Sequence, residues 1–418
     1  MRAEAAAAEI ARRLVVLTPI EPFSTGNGLS MRAELFRRSA PTNMDVQTLV
    51  VPVAGHLPRP SAADAAVVPR DPAAARRGTL ALAADPVWRD RLSRVGSLPP
   101  LARAASPGLV HAVLANIRDR GPFALHVMRA YLAPLGVAVG ERLRAIWTTL
   151  DLDEDDAAFA RSIDDFEGAA AYERLLDVFG PLFDGLSAAS LDEAVAISER
   201  HGVSVEYLRN AVRPPLRPVA ARRRRRRAVP SLLFVGNLMY PPNLEAIDLL
   251  VKEILPAVRH RLGGRVRLTL VGPHDGRLDR LCSTDVEVTG FISDLAPVYA
   301  SADAVVVPLR RGAGTRIKLL EAFAYGVPVI ASSVGAAGLE ADDGRHLLLA
   351  DDCDRSVAAV EAVLTDSDLA ARLVDEAVQL VGERYSIDTV GRAIRDFFER
   401  AATGAPGHVS PRPAERPT

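Results

Sequence analysis

The sequence predicts an α/β protein with two doubly wound, Rossmann-like domains, each built on a parallel sheet that helices cover on both faces. Two observations carry this prediction. Short apolar runs of strand length alternate with longer segments of helical periodicity along most of the chain. Near the middle, residues 213–229 are rich in proline and arginine, a composition typical of an extended linker between domains.

The length and composition fit a soluble globular protein of more than one domain. A chain of 418 residues exceeds the usual size of a single core, and its apolar content of 49% lies in the globular range. The net charge of −1 argues against a nucleic-acid-binding surface over the whole molecule. Cys282 and Cys353 belong to no CxxC or Cys/His cluster, which argues against disulfides and zinc sites. Without a signal-type segment or an apolar run of about 18 residues, we expect a cytoplasmic protein with peripheral membrane contact at most.

The first predicted domain, residues 1–212, opens with a strand, a glycine loop and a helix. Residues 14–17 form a buried-strand run, and the loop Gly26-Asn27-Gly28 precedes a helix. Such a loop can cradle an anion, because the free N–H groups at a helix start point toward the ligand. A tight turn explains the same residues, and Met31 replaces the third glycine of the dinucleotide-binding fingerprint. Both interpretations stay open on the loop alone.

Apolar runs continue through the rest of the first domain. A second strand is predicted at residues 46–51, whereas residues 54–107 are rich in Ala, Pro and Arg and give no clear pattern. Further strand or helix runs are predicted at residues 109–117, 124–128, 145–150, 175–183 and 203–208.

The predicted linker contains six consecutive arginines, Arg222 to Arg227. A cluster of this kind can bind anionic lipid head groups or nucleic acid. No aromatic residue interleaves with these arginines, so we interpret the segment as a solvated linker and expect no nucleic-acid partner. Peripheral contact with a membrane remains the alternative.

The second predicted domain, residues 230–402, shows the alternation more clearly. Three successive strands, at residues 232–235, 266–271 and 286–289, each end in a loop that contains glycine. Open α/β sheets bind ligands at the carboxyl ends of their strands, so these loops are predicted to line a binding site. Helices are predicted up to residue 400, and residues 403–418 are predicted to be a disordered tail.

A fourth strand of this domain, at residues 304–307, leads through a glycine-rich loop into a helix with an unusual charge pattern. The helix is predicted to end near Tyr325. Arg316 and Lys318 lie in its first turn, where the helix dipole disfavours cations unless an anion binds there. Glu321 lies on the apolar face, where a carboxylate needs a hydrogen-bond donor. A bound phosphate explains the pattern, and so does a surface pair between Lys318 and Glu321.

Four ordered motifs between Leu232 and about Tyr385 resemble the nucleotide-sugar domain of GT-B-fold glycosyltransferases, specifically glycosyltransferase family 4. The motifs are FVGNLMYPPN, LVGP, VTGFISDL and VVVPLRRGAGTRIKLLEAFAYGVPVIASSVGAAGL. The first half is more loosely similar, through the GNG loop and the segments around His126 and Asn210. The resemblance implies two domains facing across a cleft and a UDP- or GDP-linked sugar as donor. It also implies retention of anomeric configuration without a metal or other cofactor.

The resemblance further implies a role for each motif residue. Arg316 and Lys318 would hold the diphosphate and stabilise the departing nucleoside diphosphate. Glu321 would accept hydrogen bonds from the ribose hydroxyls, and His126 is the candidate for contact with the transferring sugar. The remaining implied donor contacts are Gly26, Asn27 and Gly28 from the first domain and Gly236, Asn237, Phe291, Ile292, Gly314 and Thr315 from the second.

The chain departs from the family pattern at three places. Ala313 stands where many members carry a glutamate that contacts the donor sugar. Asn237 and the turn at residues 240–242 replace the familiar arginine and lysine that follow the first strand of the nucleotide-sugar domain. For the histidine of the first domain, His126 is the first candidate, with Arg129 or Asp151 as substitutes.

The segment Asp151-Leu152-Asp153 has the same residue pattern as the metal-binding DxD motif of the other main glycosyltransferase fold. It lies within an acidic run, residues 151–156, just before a helix that is predicted to begin near Ala157. Acidic residues at that position cap a helix and complement its dipole. We therefore interpret the run as a helix cap and predict no metal site.

The sequence thus predicts a cytoplasmic, metal-independent, retaining glycosyltransferase that transfers a sugar from a nucleoside diphosphate sugar to an acceptor hydroxyl. The product class would be a polysaccharide, a glycolipid or a small-molecule glycoside, and the acceptor site is expected in the first domain. Two alternatives remain open at this point. One is a nucleotide-sugar 2-epimerase of the same fold, and the other is a non-catalytic GT-B-like protein that binds a nucleotide.

Overall fold

A computed structural model describes residues 12–23, 28–53, 65–69, 71–118, 121–213, 229–312 and 317–405. The described chain separates into two compact units. The first unit contains the residues up to Arg209 together with those from Gly391 onward, and the second runs from Asn210 to Val390. Each unit is a parallel sheet with helices packed on it, as the alternation in the sequence predicts.

The first unit is built on a parallel sheet of seven described strands, in the order β3-β2-β1-β4-β5-β6-β7. The order reverses between β1 and β4, which makes the sheet doubly wound. The strands are β1 (Arg13–Thr18), β2 (Asp45–Val50), β3 (Ala65–Val67), β4 (Ala124–Met128), β5 (Thr148–Asp151), β6 (Gly185–Ala188) and β7 (Val205–Tyr207). The strands predicted at residues 14–17 and 46–51 are confirmed, with end shifts of one residue. The runs at residues 124–128, 145–150 and 203–208, for which the sequence left strand or helix open, form β4, β5 and β7.

Nine described α-helices of the first unit precede residue 210. They are α1 (Gly28–Arg38), α2 (Pro72–Leu82), α3 (Pro86–Val95), α4 (Pro100–Ala104), α5 (Val110–Asn116), α6 (Ala133–Leu143), α7 (Asp156–Ser162), α8 (Phe166–Phe179) and α9 (Leu191–His201). The unclear region 54–107 contains β3 and helices α2 to α4, each of which begins at a proline. Asp71 and Asp85 cap α2 and α3 through backbone N–H groups. In α2 and α3, an aspartate followed by a proline thus marks the start of the helix. The many Ala, Pro and Arg residues of the region make this signal hard to recognise in the sequence.

The second unit contains a parallel sheet of six described strands, in the order β10-β9-β8-β11-β12-β13. The strands are β8 (Ser231–Val235), β9 (Arg267–Val271), β10 (Val286–Thr289), β11 (Ala304–Val307), β12 (Val329–Ala331) and β13 (Leu348–Leu349). The described helices are α10 (Pro241–Leu249), α11 (Leu255–Leu262), α12 (Ala296–Ser301), α13 (Ile317–Ala324), α14 (Ser333–Ala336), α15 (Cys353–Thr365) and α16 (Ser367–Arg384). A π-helical turn at Leu250–Ile254 joins α10 to α11.

The last helix, α17 (Ile387–Thr403), corrects the predicted boundary of the second domain at residue 402. From Gly391 onward the helix belongs to the first unit. Its buried Phe398 packs on the first unit, with ring centroids 6.0 Å from Phe36 and 5.5 Å from Trp147. The apolar face of this part of the helix thus packs in the first unit. An amphipathic sequence pattern predicts that a helix has a buried face, but it does not predict which domain buries it.

Several predicted segments lie outside the described residues. These are residues 214–228 of the linker, including Arg222 to Arg227, and residues 406–418 of the tail. No helix in the described ranges combines the length and apolar character needed to cross a membrane.

Candidate functional site

The candidate site lies in the second unit, where the strand order reverses between β8 and β11. Ligands of open α/β sheets bind beyond the carboxyl ends of the strands at such a reversal. Gly236 directly follows β8, Gly272 follows β9, and Gly290 follows β10, so the three glycine loops predicted from the sequence meet at this edge. Helix α13, which carries Lys318 and Glu321, comes from the loop after β11.

Gly236 and Gly272 pack backbone against backbone. The N–H of Gly236 donates to the carbonyl of Val271 at 2.9 Å. A Cβ on Gly272 would lie 1.7 Å from the carbonyl oxygen of Gly236, and a Cβ on Gly236 would lie 2.9 Å from Lys318 Nζ. Position 272 therefore requires glycine, because a side chain there would displace the backbone of the neighbouring loop, whereas a side chain at position 236 would displace the ammonium of Lys318.

Lys318 is held firmly at this edge of the sheet. Its Nζ donates a hydrogen bond to Asn243 Oδ1 at 2.8 Å. The same ammonium lies 4.5 Å from the centre of the Phe234 ring, within the range of a cation–π interaction. The lysine thus contacts α10 and β8 in addition to its own helix, which a plain surface pair with Glu321 would not require.

Glu321 lies one turn further along α13, in a partly buried position next to Tyr299. The Tyr299 hydroxyl donates to Glu321 Oε2 at 3.2 Å, and the buried ring of Tyr299 stacks on Tyr325 with centroids 4.8 Å apart. Burial raises the pKa of Glu321 to about 7, although the hydrogen bond from Tyr299 and the charge of Lys318 act in the opposite direction. Glu321 therefore changes its charge near neutral pH and has a hydrogen-bond donor of the kind its inward position requires.

The other predicted contacts of this unit lie in the loops of the same edge. Asn237 is exposed, and its carbonyl accepts a hydrogen bond from Asn243 Nδ2 at 2.8 Å. Phe291 is 62% exposed, and Ile292 beside it is partly exposed, in the loop after β10. Their implied contacts with phosphate and base stay predictions.

Some predicted residues lie outside the described part of the chain. They are Gly26 and Asn27 of the first loop and Ala313, Gly314, Thr315 and Arg316 of the loop before α13. Gly28 is described as the first residue of α1. The described part of α13 runs from Ile317 to Ala324, one residue short of the predicted end. The predicted roles of the undescribed residues stay predictions.

His126 lies in the core of the first unit, in β4, with no exposed surface. Its ring stacks on Phe36 at a centroid distance of 4.2 Å, and Phe398 packs edge-on at 5.3 Å. His126 Nδ1 lies 2.9 Å from Thr149 Oγ1, and burial lowers the pKa of the ring to about 4. This placement corrects the expectation that His126 contacts a sugar, because an enclosed, neutral ring acts as a packing residue.

The two substitutes for His126 are both engaged in ion pairs. The buried Asp151 accepts from Arg32 Nε at 2.7 Å and from Arg32 Nη2 at 2.6 Å. Arg129 donates to Glu154 at 2.7 Å and also contacts Asp156. These pairs satisfy the charges inside the first unit, and removing one partner of such a pair would leave a buried charge without compensation.

The acidic run at residues 151–156 caps a helix, as interpreted from the sequence. Asp155 accepts hydrogen bonds from the N–H groups of Ala157 at 3.0 Å and Ala158 at 2.9 Å, at the start of α7. Among the described residues, no group of three or more His, Cys, Asp and Glu side chains is arranged to hold a metal ion.

Asn243 and Tyr299 are the two site residues that the sequence did not single out. Asn243 lies in the first turn of α10, directly after two prolines. Tyr299 lies in α12, in the segment that precedes β11. An inward-facing carboxylate such as Glu321 signals that a donor must exist, but the sequence does not say which residue supplies it.

The part of the chain that carries this site is similar to known proteins. Residues 229–366 match the family described as "Glycosyl transferases group 1". An uncharacterized glycosyltransferase of Methanocaldococcus jannaschii is 31% identical over 182 residues, which cover 41% of this chain and 45% of that protein. A GDP-mannose-dependent alpha-(1-6)-phosphatidylinositol monomannoside mannosyltransferase of Mycobacterium tuberculosis is 33% identical over 161 residues, which cover 34% of this chain and 42% of that protein. The chain thus spans less than half the length of these curated relatives.

Solved structures match the chain over most of its length. Sucrose-phosphate synthase from Thermosynechococcus elongatus superposes with a TM-score of 0.68 at 18% identity, over 93% of this chain and 99% of that chain. Anabaena HepE in complex with UDP superposes with a TM-score of 0.65 at 14% identity, over 93% and 99% of the two chains. These likenesses confirm the GT-B fold with two Rossmann-like domains. Within its second unit, residues 229–366 are similar to the family described as "Glycosyl transferases group 1".

Proposed function

We propose that this protein is a glycosyltransferase that moves a sugar from a nucleoside diphosphate sugar to an acceptor hydroxyl. The observation that carries the proposal is the placement of Lys318. Its ammonium lies against the backbone of Gly236, at the carboxyl end of β8 and beside the reversal of the sheet. A fixed cation at this position suits a diphosphate, because preorganised positive charge stabilises a leaving anion.

Helix α13 would contact two parts of the donor. Lys318 and Glu321 are three residues apart and lie on neighbouring positions of the helix surface. Lys318 would bind the diphosphate, with Arg316 as a second cation and the N–H groups at Gly314 and Thr315 as further donors. Glu321, as a carboxylate, would accept hydrogen bonds from the ribose hydroxyls.

The remaining donor contacts in this proposal come from the loops. Gly236 and Asn237 would line the approach to the phosphates, and the backbone near Phe291 and Ile292 would meet the base. Gly26, Asn27 and Gly28 would contact the diphosphate or the sugar from the first domain. Because Ala313 replaces an acidic residue of the family pattern, the sugar would be specified less strongly than the nucleotide.

We further propose that the transfer retains anomeric configuration and needs no metal ion. The ordered motifs that resemble glycosyltransferase family 4 support retention. Arg316 and Lys318 would supply the positive charge that a bound metal supplies at the departing phosphate in other transferases. The proposed site residues are therefore cationic side chains and backbone N–H groups rather than a carboxylate cluster.

Relatives guide the choice of donors and acceptors to test. One similar structure contains UDP, and one curated relative is named for its dependence on GDP-mannose and its phosphatidylinositol monomannoside acceptor. UDP- and GDP-linked sugars with glycolipid, polysaccharide and small-molecule acceptors are therefore the panel to use. We propose a cytoplasmic location, with Arg222 to Arg227 as part of a solvated linker and peripheral contact of these arginines with anionic lipids as the alternative.

Ligand-induced stabilisation of the purified protein provides the first experiment. A nucleoside diphosphate that binds the folded state raises the melting temperature, so UDP, GDP and their sugar conjugates can be ranked directly. The sugar conjugate that raises the melting temperature most is then incubated with the acceptor panel, and a glycosylated product is expected. Conversion of the donor without any acceptor would indicate a 2-epimerase instead, and binding without conversion across the panel would indicate a non-catalytic protein.

A further inference from the structure

We infer that Asn243 is a positioning residue for the donor site, because it fixes the ammonium of Lys318 against the loop after β8. The inference rests on the proposed function of Lys318 and deepens it. Asn243 is 95% buried in the first turn of α10, with an exposed fraction of only 5%. It is not a catalytic residue, since it acts on the donor only through Lys318 and the backbone of Asn237.

Both polar atoms of the Asn243 side chain have partners at good distance. Oδ1 accepts from Lys318 Nζ at 2.8 Å, and Nδ2 donates to the carbonyl of Asn237 at 2.8 Å. The two partners fix the orientation of the amide, because a lysine ammonium can only donate and a carbonyl can only accept. A flipped amide would face each partner with the wrong group, so the side chain has one satisfied orientation.

The neutrality of the amide is as important as its geometry. A lysine side chain is long and flexible, so holding its ammonium in one place costs conformational entropy unless a partner fixes it. A carboxylate at position 243 would fix the ammonium but would also neutralise its charge. Asparagine holds Lys318 without neutralising its positive charge, which can then act on a bound phosphate.

Two further contacts restrict the ammonium to the same place. The Phe234 ring centre lies 4.5 Å from Lys318 Nζ. The backbone of Gly236 lies so close that a Cβ there would stand 2.9 Å from Nζ and 3.0 Å from Asn243 Nδ2. Asn243, Phe234 and Gly236 thus surround one side of the ammonium, and Asn243 alone contributes a hydrogen bond among these three.

A double-mutant cycle tests this inference in the full chain. We measure the Kd of UDP and GDP, and of the matching free nucleosides, for wild type, Asn243→Ala, Lys318→Met and the double variant. Loss of the hydrogen bond to a charged group is expected to weaken diphosphate binding about tenfold in Asn243→Ala. The same substitution is expected to have almost no effect once Lys318 is absent, because coupled residues are not additive. The free nucleosides are expected to bind all four proteins equally.

Two matched variants separate positioning from folding. Asn243→Asp keeps the size of the side chain and a partner for Lys318, but its second oxygen cannot donate to the carbonyl of Asn237. Its Kd values are therefore measured below the onset of melting, and diphosphate binding is expected to weaken because the carboxylate neutralises Lys318. Asn116→Ala removes an asparagine side chain of the first unit whose Nδ2 donates to the carbonyl of Ala112 in α5, and it is expected to bind like wild type.

The outcomes distinguish the inference from the function on which it rests. If wild type binds no nucleoside diphosphate, the proposed function fails. If wild type binds and Asn243→Ala weakens binding by the same factor with and without Lys318, only the positioning role is overturned. Equal losses for diphosphates and free nucleosides would likewise contradict an action through the phosphate cation.

Discussion

The hydroxyl of Tyr299 donates a hydrogen bond to Glu321, with 3.2 Å between Tyr299 Oη and Glu321 Oε2. This contact joins α12, which precedes β11, to α13, which follows it. The tyrosine ring is fully buried and stacks on Tyr325, so the donor is held in place by packing. The carboxylate that we assign to the ribose is therefore oriented before any ligand binds.

Nucleotide affinity should increase as the pH rises through 7, because Glu321 loses its proton in this range. Burial raises the pKa of this carboxyl from 4.5 to about 7, and a carboxylic acid accepts hydrogen bonds from a ribose less well than a carboxylate. The contribution of Glu321 to stability in the unbound protein has the opposite trend. It is fully present below pH 4.5 and is lost as pH rises through about 7, because folding favours the protonated form.

Calorimetric Kd values for UDP and GDP between about pH 5.5 and 8.5 check this prediction, since that window brackets the shifted pKa. The diphosphate itself also titrates in part of the range, so Glu321→Gln is the control. The change in nucleotide affinity per pH unit should be smaller in Glu321→Gln than in wild type. Identical slopes in the two proteins would show that Glu321 does not control the affinity.

Tyr299→Phe should move the pH profile of nucleotide binding to higher pH. The hydrogen bond from Tyr299 lowers the pKa of Glu321, so its removal makes the protonated form of Glu321 persist further into the alkaline range. Affinity at neutral pH should fall about tenfold, as expected for a lost hydrogen bond to a charged group. Tyr325→Phe is the matched control, because it keeps the stacked ring pair. A Tyr299→Phe profile that overlays wild type would refute the assignment.

Gly272→Ala should destabilise the second unit and weaken nucleotide binding. The new Cβ would lie 1.7 Å from the carbonyl oxygen of Gly236, so one of the two loops must move. We expect a loss of at least about 2 kcal/mol in the free energy of unfolding. Gly382→Ala, in α16, has no atom within 4 Å of its new Cβ and should be neutral or stabilising by about 0.5–1 kcal/mol. Denaturant titration of both variants compares them, and equal stability would refute the close-packing argument.

Removal of divalent metal should leave sugar transfer unchanged. Arg316 and Lys318 are proposed to supply the positive charge at the departing phosphate, so a chelator has no necessary ion to extract. The measurement is the initial rate of transfer with and without a chelator, followed by addition of manganese. A full loss of rate that manganese restores would contradict the metal-independent mechanism.

The sequence predicts the doubly wound architecture well because strand runs and helical periodicity are local signals. The strand at residues 304–307, for example, is found where β-branched residues predict it. The last helix shows the limit of that method. Its apolar face is visible in the sequence, but only the structure shows that Phe398 packs beside Phe36 of the first unit.

The charged residues of the site can be predicted from the sequence, whereas the residues that hydrogen-bond to them cannot. Lys318 and Glu321 are conspicuous because a cation near a helix start and a carboxylate on an apolar face both need an explanation. Tyr299 and Asn243 supply the supporting contacts from other helices, which requires knowledge of tertiary packing. His126 shows the converse, since a histidine in a strand gives no sign of whether its ring is enclosed.

The most direct test of the central claim compares the rate of sugar transfer for Arg316→Ala and Lys318→Ala with that of wild type. Removing a preorganised charge from the transition state is expected to lower the rate at least about 100-fold in each variant. Lys252→Ala, which removes an exposed lysine paired with Asp248, is the control and should keep the wild-type rate. Melting curves should show that all three variants stay folded. Near-normal transfer by both Arg316→Ala and Lys318→Ala would contradict the account.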